Sequence, residues 1–197
     1  MPEITSENSL YAKNRAAWRK WLQQNHAKKL SVWLILYRKS STTPSVYYEE
    51  AVEEALCFGW IDSRPNKRDA ESYYLTFSPR KPKSVWSALN KKRIELLVAA
   101  GKMTAAGQVK IEQAKKDGSW NALDAADALQ MPEPLKKALA KNKKAQTNFN
   151  AFPPSFKKGV YYWLQCAKTE ATLTKRVNET VTLAAENKRV NEWKGKK

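Results

Sequence analysis

Strand periodicity occurs only in the first eighty residues of this chain, whereas helical periodicity runs through all of it. The run Val32-Trp33-Leu34-Ile35-Leu36-Tyr37 is apolar, β-branched and aromatic, and it is too short for a helix. It reads as a buried strand. Trp60-Ile61-Asp62 reads as a short strand after a helix stop at Gly59, and Tyr73, Leu75 and Phe77 alternate with Tyr74, Thr76 and Ser78 at the period of a strand. Residues 40–44 read as a loop and residues 64–69 as a charged turn. Around these lie helical spacings. Ser9 can cap a helix running to Gln24, with Leu10, Ala17, Trp18, Trp21 and Leu22 on its apolar face. From Ser45 a second helix places Tyr48, Ala51, Val52 and Ala55 at i, i+3, i+4 and i+7.

Past Pro79 the pattern predicts helices at 86–100 (capped by Ser84 and closed by Gly101), 104–116, 135–140, 156–167 and 170–186. Helix–strand–helix–strand–strand followed by helices defines an α+β chain: a small, mainly antiparallel sheet packed with helices, then a helical C-terminal half. The expected organisation is an α+β core over 1–120, a helical part over 121–187 packed on or beside it, and a basic tail over 188–197.

Several function classes lose their footing on composition. Eight tryptophans in 197 residues supply large apolar pieces for a core. No stretch approaches the roughly 20 apolar residues of a membrane span. The first ten residues, with Glu3 and Glu7, lack a signal-peptide pattern. Two cysteines, Cys57 and Cys166, lie far apart, which points to a reduced, cytoplasmic protein. The single histidine, His26, makes a histidine metal site or a Ser-His-Asp triad hard to build. Dinucleotide, phosphate-loop and zinc spacings are missing, and Gly101 and Gly107 read as helix punctuation, so no cofactor is expected.

The formal charge of +17 is unevenly placed. Residues 1–79 carry 11 basic and 9 acidic side chains, residues 80–119 carry 10 and 3, and residues 120–197 carry 15 and 7. A basic excess after Pro79 points to a polyanionic partner such as nucleic acid, with Lys91, Lys92, Arg93, Lys157 and Lys158 as its candidate contacts. The competing reading is a solvated lysine surface, because arginine, the preferred residue for phosphate and base recognition, makes up nine of the 36 cations.

Three ordered blocks carry a family resemblance. They are residues 48–63 (Tyr48-Glu49-Glu50-Ala51 through Gly59-Trp60-Ile61-Asp62-Ser63), Thr76-Phe77-Ser78-Pro79-Arg80 with residues 84–90, and residues 101–107 with Gly118-Ser119-Trp120. From about Tyr47 to Trp120 the chain resembles the YdeI/OmpD-associated (bacteriocin-protection) family, and the stretch after Phe152 is similar to that family's C-terminal part. The resemblance implies a bacterial source and a core related to the frataxin-like YjbR/CyaY (DUF1801) group. Its name implies bacteriocin protection and association with an outer-membrane porin, and it supplies no catalytic residue set.

Read residue by residue, Trp60, Asp62, Arg80, Ser84, Trp86 and Asn90 cluster about two predicted strand ends. They would form one concavity with an aromatic floor, a cation and hydrogen-bonding groups, suited to a small anionic or polar ligand. The structural alternative is an Asp62–Arg80 ion pair, a Ser84 cap and core tryptophans. Glu49, Glu50, Glu53 and Glu54 form two i,i+4 pairs on one helix, a weak candidate for a hard cation against a solvated face. Cys57 reads as a buried small hydrophobe and His26 as a surface residue or cap. The expected function is binding, of a small ligand or protein partner, rather than catalysis. A polyanion module is the alternative, and an enzyme of unknown reaction comes third.

Overall fold

The computed structural model describes residues 4, 5 and 7–190, and the chain divides into two compact units, Met1–Ala122 and Leu123–Lys197. The first contains β1 (Ser9–Tyr11), α1 (Arg15–Asn25), β2 (Val32–Tyr37), α2 (Tyr48–Cys57), β3 (Trp60–Lys67), β4 (Ser72–Pro79), α3 (Ala88–Ala99) and α4 (Ala105–Lys116). Its sheet has the order β1-β2-β4-β3. The β1–β2 pair is parallel and the other two pairs are antiparallel, so the fold is α+β with a mainly antiparallel sheet. Register sets Val32 opposite Phe77, and Leu34 opposite both Leu75 and Leu10. These side chains join Trp18 and Leu22 of α1 and Ala51, Val52 and Ala55 of α2 in one core. Each fully buried leucine or phenylalanine there contributes about 1.5–3 kcal/mol relative to exposure.

Four local readings change. Helix α1 starts at Arg15, capped by Asn14, whose Oδ1 accepts from the Ala17 N–H at 2.9 Å; Ser9, Leu10 and Tyr11 instead pair with Trp33, Leu34 and Ile35. Strand β3 continues through the residues expected to turn. A register shift between Asp62 and Pro65 admits the proline, which an edge strand tolerates. The cap of α3 is Ser87 rather than Ser84, which leaves Trp86 ahead of the helix and buried. Gly107 is a close approach rather than punctuation. The Thr104 hydroxyl and N–H both donate to the Cys57 carbonyl, at 2.6 and 3.2 Å, and a Cβ on Gly107 would run into that oxygen and the Met103 sulfur.

The second unit contains α5 (Asp124–Asp127), α6 (Glu133–Ala140), α7 (Lys143–Ala151), α8 (Pro154–Gln165) and α9 (Glu170–Ala185). Leu135, Leu139, Phe149, Val160, Tyr161, Leu164 and Val177 form its core, and the Phe149 ring sits 6.0, 6.4 and 6.2 Å from those of Phe152, Phe156 and Tyr161. Helices α5 and α7 had no counterpart in the sequence reading. The sequence of α7 is polar, and its start is set by Asn142, whose Oδ1 accepts from the Ala145 N–H at 3.0 Å. The expected basic tail falls from residue 191 onward outside the described residues. Among the described residues no helix is long and apolar enough to cross a membrane.

Candidate functional site

At the N-terminal end of α2, the first helical residue is Tyr48. Its helical spacing suggests a core position, yet at the end of the helix the residue stays 39% exposed. The Tyr48 hydroxyl donates to Oδ2 of Asp62 at 3.1 Å. Asp62 lies on β3 opposite Phe77, at the bulge where the strand edge loosens. The pair borders a cavity of about 630 Å³ whose lining includes Arg38, Tyr48, Asp62, Asn66, Lys67 and Tyr73. Arg38 directly follows β2, and the register holds Lys67 across from Tyr73.

Partial burial, and then the Asp62 carboxylate, push the Tyr48 phenol above its ordinary value of 10, while Arg93 pulls the other way. Burial likewise raises Tyr73, with Glu49 adding to the rise and Arg38 opposing it. The groove therefore offers two phenols held protonated, one carboxylate and flanking cations. That set can pair with an anionic group, accept from and donate to a polar one, and lay an aromatic wall against an apolar body.

The six residues expected to share one concavity are divided among four places. Asp62 is the one that lines the groove. Trp60 is 1% exposed and donates its indole N–H to the His26 carbonyl at 3.1 Å, so it braces the end of α1. Arg80, Ser84 and Trp86 form a packed cluster, with the Arg80 guanidinium 3.6 Å from the centre of the Trp86 ring. Asn90, on α3, accepts from Arg93 at 3.0 Å. The Asp62–Arg80 ion pair does not form, since Asp62 turns to Tyr48 and Arg80 to backbone carbonyls. Arg38, Tyr48, Asn66, Lys67 and Tyr73, which line the groove with Asp62, are not among the residues expected there. The available signal was a tyrosine and a charged, proline-containing segment flanking the same strand.

The four glutamates do not share one environment: Glu49 is exposed, Glu50 and Glu53 are half-buried, and Glu54 is buried. Glu54 is 2% exposed and accepts from Arg15 Nε at 2.6 Å and from Arg19 Nη1 at 2.5 Å. Glu53 pairs with Arg15 at 2.9 Å, and Glu50 accepts from the Tyr47 N–H at 3.2 Å. Glu49 stands near Tyr73. Among the described residues no group of three His, Cys, Asp or Glu could hold a metal ion. Cys57 is fully buried, which raises its thiol pKa and suits a core residue rather than a nucleophile. His26 caps α1, with its ring 5.1 Å from Phe58.

Of the candidate polyanion contacts, Lys91, Lys92 and Arg93 lie on α3 of the first unit and Lys157 and Lys158 on α8 of the second. Lys92 is exposed, and the Lys91 ammonium stands 5.7 Å from the centre of the Trp120 ring. Lys157 donates to the Asn150 carbonyl at 2.6 Å, and Lys158 pairs with Asp127 at 3.2 Å.

A groove-bearing α+β unit and a separate helical unit together describe a two-part protein, and the family matches divide at the same two parts. The family model described as "Domain of unknown function (DUF8412)" matches residues 10–110, just over half of the chain, and the chain belongs to that family. Residues 128–187 match the model described as "Bacteriocin-protection, YdeI or OmpD-Associated". The YdeI/OmpD-associated likeness is thus carried by the helical unit, whereas most of the 47–120 segment falls under the first family. No curated protein and no solved structure matches the chain.

Proposed function

We propose that this is a YdeI/OmpD-associated-type binding protein whose α+β unit holds a small anionic or polar ligand in the groove at the start of α2. The observation that carries the reading is the Tyr48–Asp62 pair set into a cavity of about 630 Å³ beside Arg38 and Lys67. A volume in that range suits a metabolite-sized molecule. The groups present bind and orient; the reading asks no catalysis of them. The bacteriocin protection named in the matched family's description would then act through capture of a small molecule, or of a protein partner through one polar side chain placed in the groove.

The test is a thermal-shift panel of inorganic phosphate, citrate, amino acids and nucleoside monophosphates on the wild type and on Asp62→Ala and Arg38→Ala. A compound that raises the Tm of the wild type and not of the variants supports the site. Stabilisation that is equal in all three proteins places binding elsewhere. A polyanion-binding role draws on the basic excess after Pro79 and predicts oligonucleotide affinity that falls steeply with salt. Affinity indifferent to Lys91, Lys92 and Arg93, or present only at very low salt, removes it.

A further inference from the structure

Arg80 is an unusual cation for a small core. It is 3% exposed, lies against the Trp86 ring at 3.6 Å, and has no carboxylate partner. One guanidinium nitrogen, Nη2, donates to the Val85 carbonyl at 2.6 Å and reaches the Ser84 hydroxyl at 3.3 Å. The Nε–H is buried with no hydrogen-bond partner. Burial lowers the Arg80 pKa to about 10, with Asp62 acting the other way, so the group remains charged near neutral pH. A buried cation is ordinarily paired, because an uncompensated one costs several kcal/mol.

The surroundings of Arg80 point to what compensates it. Arg80, Lys81, Lys83 and Lys110 line one small recess together with Ser119. Its volume, about 10 Å³, is near that of a single water-sized particle. Asp117 is the one carboxylate in the lining, and it is engaged: Oδ1 accepts from the Ser119 N–H at 2.9 Å and Oδ2 from the Lys83 N–H at 3.0 Å. The Ser119 hydroxyl beside the carboxylate, and then those backbone bonds, hold Asp117 below the usual range and so ionised. The Ser119 hydroxyl itself is buried and makes no hydrogen bond of ordinary geometry. Four basic residues thus line a water-sized hole whose one carboxylate is already satisfied, and the buried Arg80 Nε–H is left over.

We propose that this recess is an anion site, separate from the groove at α2, that takes chloride or one oxygen of a phosphate, sulfate or carboxylate group. Beside the Trp86 ring and the Val85 carbonyl, water would fill the hole but bring no negative charge to the guanidinium; an anion does both. Lys81, Lys83 and Lys110 would serve as its rim and Arg80 as its floor.

The experiment measures chloride and phosphate NMR line widths with the full chain at fixed ionic strength, comparing wild type, Arg80→Met and Lys110→Met. The expected result is a saturable excess broadening of chloride in the wild type, reduced several-fold in both variants. Displacement of chloride by added phosphate identifies a site that also accepts oxyanions, and no displacement a halide site. Broadening of phosphate alone, lost in the variants, identifies an oxyanion site. If Arg80→Met does not fold, Lys110→Met carries the comparison, because its side chain lies on the rim. Line widths of both ions that are the same in wild type and Lys110→Met would mean that the recess holds water only, and the proposal would be overturned.

Discussion

Helix α2 has polar side chains near both ends, and the two ends use them differently. Toward its C-terminus Glu54 is sealed between α1 and α2 with Arg15 and Arg19, each carboxylate oxygen taken by a guanidinium. At its N-terminus Tyr48 and Asp62 make a single hydrogen bond and leave their remaining capacity facing a cavity of about 630 Å³. A buried carboxylate with both oxygens paired fixes how two helices pack. An open, half-partnered one is free to meet a ligand. Polar side chains at the two ends of one helix therefore divide into scaffold and candidate site according to what packs over them.

The sealed end is where mutation has the largest effect. Replacing both arginines, Arg15→Met with Arg19→Met, leaves the Glu54 carboxylate buried without a cation, at an expected cost of about 3–5 kcal/mol in urea unfolding. Glu54→Gln should cost less, about 1–3 kcal/mol, because the two arginines are 28% and 29% exposed and can turn to water. If Glu54→Gln proved the more damaging of the two, the contrast between sealed and open ends would lose its physical basis. Gly107→Ala should cost about 1–3 kcal/mol by forcing α4 off the Cys57 carbonyl, although alanine is the better helix former.

At the open end the effects are on chemistry rather than stability. Arg38→Ala should change unfolding free energy by no more than about 0.5 kcal/mol. The Tyr48 phenol, titrated by NMR, should ionise above the ordinary value of 10, and Asp62→Asn should bring it down toward that value. Because the folded-state value is raised, the stabilisation tied to protonated Tyr48 is complete below pH 10 and is lost as pH rises through the folded-state value. Tyr48→Phe should shrink that alkaline loss. An unchanged Tyr48 titration in Asp62→Asn would mean that burial alone sets it.

How far the sequence revealed this follows from the reach of each signal. Strands β2 and β4 were visible because their apolar pattern is local and spans six or more residues. Strand β1 was not, since three residues carry no periodicity and Leu10 also fits the spacing of Trp18 and Trp21. The second half of β3 looked like a turn because edge position and a bulge permit Pro65 and exposed charge. In the candidate site, Asp62 is legible from its place at a strand end, but the one partner the sequence offers it, as the structural alternative, is Arg80. The Tyr48 contact depends on how α2 lies over the sheet, which no local pattern encodes. Glu54 shows the same limit: its two cations come from α1, 39 and 35 residues away in sequence.

Amide chemical-shift mapping with the compound that stabilises most in the thermal-shift panel tests the groove most directly. The expected perturbations centre on Arg38, Tyr48, Asp62, Asn66, Lys67 and Tyr73, and they vanish in Asp62→Ala while the rest of the spectrum is retained. Shifts confined to α3 or to the helices after residue 122, and unaffected by Asp62→Ala, would contradict the assignment and make the groove a surface feature of a protein that binds elsewhere.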